Sequence, residues 1–129
     1  MTRDGFAAWL GRYVDAWKSY DAHAIGDLFS EDASYSYRGG SANLHGRSAI
    51  VSDWLRDRDS EGTYDARYEP LAIAGDIHVA RGTSTYLHPD GSVRQVFSNI
   101  FVCEFDPDGR CSSFTEWFVE MRPEEGTEA

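Results

Sequence analysis

Between Phe6 and Tyr20 the apolar side chains fall at Phe6, Trp9, Leu10, Tyr13, Val14, Trp17 and Tyr20. Steps of three and four stack side chains along one face of a helix, so this stretch predicts an amphipathic helix, with Thr2 or Asp4 available as N-cap. After Gly62 that period is gone. "TYDARYEPLAIAG" alternates aromatic and charged residues, "IHVARGTSTYL" is β-branched and polar, and "SVRQVFSNIFVCEF" and "RCSSFTEWFVEM" follow behind "HPDG" and "DPDG". In each of those turns Pro fixes φ and Gly accepts a positive φ, which makes them hairpin connections. Helices followed by an antiparallel meander define an α+β fold, three helices packed on one face of a curved sheet.

Between the two regimes, Asp21 can cap a second, shorter helix whose buried side is Ile25, Leu28 and Phe29. "EDASYSY" then switches to a period of two, with Ala33, Tyr35 and Tyr37 on one face of a short strand ended by "RGG". A third helix starts near Arg47, with Ile50, Val51, Trp54 and Leu55 on one side. With no linker, repeat or low-complexity segment, residues 1–122 read as one domain and residues 123–129 as a disordered acidic tail. A chain of 129 residues buries roughly two-thirds of its unfolded surface and requires neither disulfide nor metal.

A formal net charge of -10 with no Lys/Arg cluster argues against nucleic acid and anionic membranes as partners. Neither a basic region followed by an apolar run at the N-terminus nor an apolar run of bilayer length occurs, so a soluble cytoplasmic protein is expected. Cys103 and Cys111 flank a turn outside any metal-ligand pattern, and His23, His45, His78 and His88 are scattered; free structural thiols, no metal and no cofactor are expected.

On a strand, Phe114, Glu116 and Phe118 share one face and Thr115, Trp117 and Val119 the other. Three readings are open for the acid between the two rings. It is a surface carboxylate with the opposite face buried, a structural salt bridge for which Arg81 is one partner, or a buried group. Burial disfavours the charged form and raises the pKa toward neutrality, where general acid–base work is most effective. Tyr13, Tyr35 and Tyr37 are core aromatics or a set of phenol donors gathered at one cavity, the kind of set that polarises a carbonyl or holds a water. Serine and cysteine nucleophile motifs and glycine-rich phosphate loops are missing.

The order helix, helix, "LFSEDASYSY", "LHGRSAI" and hairpins ending in "FDPDGRCSSFTEWF" resembles the nuclear transport factor 2-like superfamily, in its SnoaL-like and ketosteroid-isomerase-like branch, from Phe6 to Met121. The resemblance implies a cone-shaped α+β fold, with a curved mixed or antiparallel sheet and three N-terminal helices enclosing a pocket. It leaves function open among isomerases, cyclases, dehydratases, hydrolases and non-catalytic modules. Matched from the Gly of "DPDGR", the pocket positions on the last strand are Phe114, Glu116 and Phe118. Glu116 falls where the cyclase branch carries an acid/base aspartate, one methylene longer. Tyr13, in "RYV", matches the oxyanion-donating tyrosine of the isomerase branch. That branch's two aspartates fall on Tyr37 and Phe101, so steroid isomerisation is not expected. Asn99 and Phe101 on the penultimate strand likewise supply no Asp-Arg-Asp set of the limonene-epoxide-hydrolase type.

The resemblance and the residues together point to a cofactor-independent isomerase, cyclase or dehydratase of an apolar carbonyl or ring-containing metabolite. Glu116 is its expected general acid/base, with Tyr13 and Tyr37 donating to an oxyanion or positioning a water. Trp17, Tyr35, Trp54, Phe97, Asn99, Phe101, Phe114 and Phe118 are expected at the ligand. The other reading is a non-catalytic module that binds a hydrophobic ligand or a partner. Trp117 on the outer face of the last strand leads to the expectation of a two-fold homodimer through the outer sheet.

Overall fold

The computed structural model describes residues 1–37 and 43–121; the "RGG" stop and the acidic tail lie outside them. Helix α1 (Arg3–Ser19) starts at Thr2, whose hydroxyl accepts from the Gly5 N–H, and ends at Tyr20 in the left-handed region at φ 51°. The Tyr20 N–H closes the last turn on the Ala16 carbonyl. Asp21 caps α2 (Ala22–Asp27) by accepting from the N–H groups of His23 and Ala24.

The strands are β1 (Phe29–Tyr37), β2 (Asn43–His45), β3 (Tyr64–Ala74), β4 (Ile77–Leu87), β5 (Val93–Phe105) and β6 (Cys111–Glu120), with α3 (Arg47–Arg56) between β2 and β3. They form one mixed sheet in the order β2-β1-β6-β5-β4-β3, in which β1 and β6 are parallel and all other neighbours antiparallel. The result is an α+β fold of the cone type, with the last strand in the middle of the sheet. Both Pro-Asp-Gly turns close as expected: Gly91 N–H donates to His88 O at 2.9 Å and Gly109 N–H to Asp106 O at 3.0 Å, with both glycines at positive φ.

Two details differ from the sequence expectation. Phe29 opens β1 instead of closing the face of α2, because the Cys111 N–H donates to the Leu28 carbonyl at 2.8 Å and draws the chain into the sheet there. The three-residue β2 was not expected at all; it pairs Leu44 with Tyr35 at the edge.

Phe6, Trp9, Leu10 and Tyr13 of α1 pack with Phe29, Phe101 and Phe114 of the sheet to form the core. Burial of each such side chain is worth about 1.5–3 kcal/mol. Trp9 is fully buried and its indole N–H donates to the Leu28 carbonyl at 3.1 Å, so its one polar atom is satisfied. Register irregularities in β1–β6, β3–β4, β4–β5 and β5–β6 bend the sheet around this core. At Gly82 on β4 a Cβ would overlap the Arg67 carbonyl and the Tyr68 ring, so the missing side chain lets Tyr68 of β3 lie down on the inner face. Among the described residues no helix is long and apolar enough to cross a membrane.

Candidate active site

Strand alternation and register place the inward side chains in rows. Glu116 lies opposite Phe101 on β5 and beside Tyr37 on β1, Phe118 opposite Asn99, and Phe114 beside Tyr35. Ser84 on β4 continues the row beyond β5, while Tyr13 and Trp17 of α1 and Trp54 of α3 roof it. Between roof and sheet is a cavity of about 430 Å³.

Glu116 is 9 % exposed. Its Oε2 accepts from Asn99 Nδ2 at 2.6 Å, and its other oxygen has no partner among the described residues. Asn99 is itself held: its Oδ1 accepts from the Ser84 hydroxyl at 2.9 Å, and Ser84 Oγ lies 2.9 Å from the Tyr68 hydroxyl. With Ser84 donating to Asn99, Tyr68 is the group that donates to Ser84. The four residues thus form one directed chain that fixes which face of the Asn99 amide meets the acid. Burial raises the Glu116 pKa to about 7 against the opposing pull of the Asn99 hydrogen bond. A carboxyl with that pKa is present in both protonation states at neutral pH.

The phenols form a second cluster. Tyr37 OH donates to Tyr35 OH at 3.2 Å, and Tyr35 OH lies 3.2 Å from Tyr13 OH. Three hydroxyl protons serve two mutual hydrogen bonds, which leaves one proton, on Tyr13 or Tyr35, for anything bound in the cavity. Burial pushes the Tyr13 and Tyr35 pKa values well above the usual phenol value and that of Tyr37 up to about 12, so all three remain donors at neutral pH. Phe114 holds them in place: its ring stacks on Tyr13 at 5.5 Å and on Tyr35 at 4.6 Å between centroids.

Of the residues expected from the sequence, Glu116, Tyr13 and Tyr37 meet at the cavity, and Trp17, Tyr35, Trp54, Phe97, Asn99 and Phe118 line it with them. Phe101 and Phe114 are 1 % exposed and lie beneath it, as the floor on which Tyr13 and Tyr68 rest. Arg81 is no partner of Glu116, for it faces the exposed side of the sheet and pairs with Glu69 at 3.1 Å. His78 faces inward, remote from the cavity lining, and its ring nitrogens meet the carbonyls of Asp76 and Met1. Sequence reasoning missed Tyr68, Ser84 and Tyr86 on the inner face and Asp53, Asp57, Asp59 and Tyr20 around it. Period-two alternation through "YEP" and "GTSTY" could have suggested the first three, given the face of β4.

Among the described residues no three His, Cys, Asp or Glu side chains converge as a metal site. The cavity therefore offers one acid of neutral-range pKa, a cluster of phenol donors and an aromatic wall. That is equipment for moving a proton on an apolar substrate and stabilising the charge that develops.

The overall arrangement recurs in solved structures. An NTF-2 like protein of unknown function from Burkholderia xenovorans LB400 superposes with a TM-score of 0.67 at 14 % identity, covering 98 % of this chain and 94 % of that one. An LEH-like epoxide hydrolase of M. tuberculosis gives 0.66 at 17 % identity, over 91 % and 84 % of the two chains. A putative SnoaL-like polyketide cyclase of Shewanella denitrificans OS-217 gives 0.66 at 15 % identity, over 87 % and 88 %. At these identities the likeness is one of fold. No curated protein matches the sequence. The SnoaL-like domain profile matches residues 10–114, the stretch that runs from α1 to the phenylalanine under the phenol cluster, and by that match the chain belongs to the SnoaL-like domain family.

Proposed function

We propose that this protein is a cofactor-independent isomerase, cyclase or dehydratase that acts on an apolar carbonyl or ring-containing metabolite by general acid–base catalysis at Glu116. The observation that carries the reading is a carboxyl group 9 % exposed, facing a 430 Å³ cavity, with a pKa near 7 and one oxygen left unbonded by the described residues. In this reading the Glu116 carboxylate takes a proton from the substrate and the resulting acid returns it at another atom. Asn99, Ser84 and Tyr68 are positioning residues that act through Glu116, and the proton left over in the Tyr13–Tyr35–Tyr37 cluster is donated to the developing oxyanion. The similarity to an epoxide hydrolase and a polyketide cyclase supports a small-molecule pocket.

The test is Glu116→Gln, which keeps shape and polarity but cannot exchange a proton. Against a substrate found by screening carbonyl and epoxide libraries, turnover should fall by about two to four orders of magnitude while ligand affinity survives. Turnover at the parent rate would leave the second reading, a non-catalytic binder of hydrophobic ligands. We also read the protein as a cytoplasmic two-fold homodimer. Two free buried thiols fit a reducing compartment, and Trp117 and Val119, 41 % and 69 % exposed on the outer sheet face, are side chains that a second copy would cover.

A further inference from the structure

The cavity is charged in one sense only. Of its sixteen lining residues four are acids, Asp53, Asp57, Asp59 and Glu116, ten are aromatic, and none is lysine, arginine or histidine. Asp59 is the most closely held of the three aspartates. Its Oδ2 accepts from Trp17 Nε1 at 3.2 Å and from the Tyr20 hydroxyl at 3.3 Å, while its own N–H donates to the same hydroxyl at 2.8 Å. Neutral donors hold the carboxylate beside two aromatic rings without cancelling its charge, and among the described residues it makes no salt bridge. Asp53 differs, for Arg56 pairs with it at 2.7 Å.

The rings add to this field, because the face of an aromatic ring is its negative side. The chain's own cations already use them: Arg58 lies 5.5 Å from the centroid of Tyr20 and Arg94 5.5 Å from that of Tyr86. A carboxylate at a concave, low-dielectric wall focuses the field into the cavity. An entering anion would meet four acids and no basic side chain in the lining, and a neutral ligand would desolvate Asp59 without compensating it. Trp54 is on the same lining and 9 % exposed, so its ring reports on a molecule that enters the cavity.

We propose that the cavity takes an organic cation, a ring-bearing amine or quaternary ammonium whose positive nitrogen sits at Asp59 beside Trp17 and Tyr20 and whose body occupies the aromatic interior. This inference rests on the cavity being the ligand site, and it narrows the substrate class of the proposed reaction to carbonyl or ring compounds that also carry a cationic nitrogen.

Three probes of similar shape and different charge test it: phenyltrimethylammonium, tert-butylbenzene and benzenesulfonate. Each is titrated into the full chain while the Trp17 and Trp54 indole N–H resonances are followed by NMR. The cation should bind about tenfold tighter than its neutral counterpart, and the sulfonate should shift neither resonance. Asp59→Asn should weaken the cation about tenfold and leave tert-butylbenzene unchanged; the three-probe comparison on the parent protein decides the matter if that variant does not fold. The neutral or anionic probe binding as tightly as the cation would overturn charge selectivity and leave the Glu116 reading standing. Failure of all three to bind would overturn both this inference and the pocket's role as a ligand site, whereas loss of the catalytic reading alone would be seen only in the turnover of Glu116→Gln.

Discussion

At Glu116 burial and hydrogen bonding act in opposite directions, and burial prevails. The consequence for stability has a definite sign. The folded pKa, about 7, lies above the ordinary value of 4.5, so between those two pH values the folded state holds a proton that the unfolded chain has lost. The stabilisation from this group is complete below about pH 4.5 and is lost as pH rises through about 7, a change on the order of 3 kcal/mol. Urea unfolding of the parent and Glu116→Gln across pH 4.5 to 8 should show the parent losing stability with pH relative to the variant; parallel curves would mean an exposed acid. Asn99 supplies the opposing effect, since its N–H bonds favour the carboxylate. Asn99→Leu should therefore move the Glu116 titration further up, and a downward move would contradict the assigned hydrogen bond. At the phenols, Tyr13→Phe should cost about two to three orders of magnitude in turnover if its proton is the one left for the substrate. Tyr37→Phe should cost less, because its hydroxyl already donates to Tyr35.

At the scale of the element, β4 is the piece that makes room for the site. Gly82 leaves the space in which Tyr68 lies across the sheet and reaches Ser84. Gly82→Ala should destabilise the fold by about 1–3 kcal/mol and displace Tyr68, measured as a lower urea midpoint with an unchanged m-value. A variant as stable as the parent would show that β3 and β4 are not in such close contact. The same element explains which parts of the site were legible in the sequence. Helix α1 could be read whole because its apolar period is unbroken, and Glu116 because alternation sets it between Phe114 and Phe118 and the family resemblance gives that face to the pocket. Phe29 was misread because the bond that decides its place comes from Cys111, far along the chain. Tyr68, Ser84 and Tyr86 were missed because β3 shifts register between Pro70 and Ala72, and β4 carries small polar residues on both faces, so alternation alone does not say which side is inward. Asp59 carries no sequence signal of its own, and only the folded chain brings it against Trp17 and Tyr20.

For the whole molecule, the sheet separates two environments, a helix-covered inner side with the acid and an outer side where Trp117 pairs with Ile100 across β5–β6. Covering that outer side by a second copy should give light scattering at twice the 14.5 kDa chain mass at micromolar concentration, and Trp117→Lys should return the protein to monomer. A monomer mass for the parent would remove the dimer. What the inner side does to its carboxyl group is measured most directly by carbon NMR of glutamate-labelled protein, with Glu116 assigned by its absence in Glu116→Gln. The expected result is a single Glu116 titration centred near pH 7, well above the other glutamates. A midpoint at or below the roughly 4.3 of a free glutamate would contradict a buried acid at the base of this cavity, and with it the proton transfer proposed there.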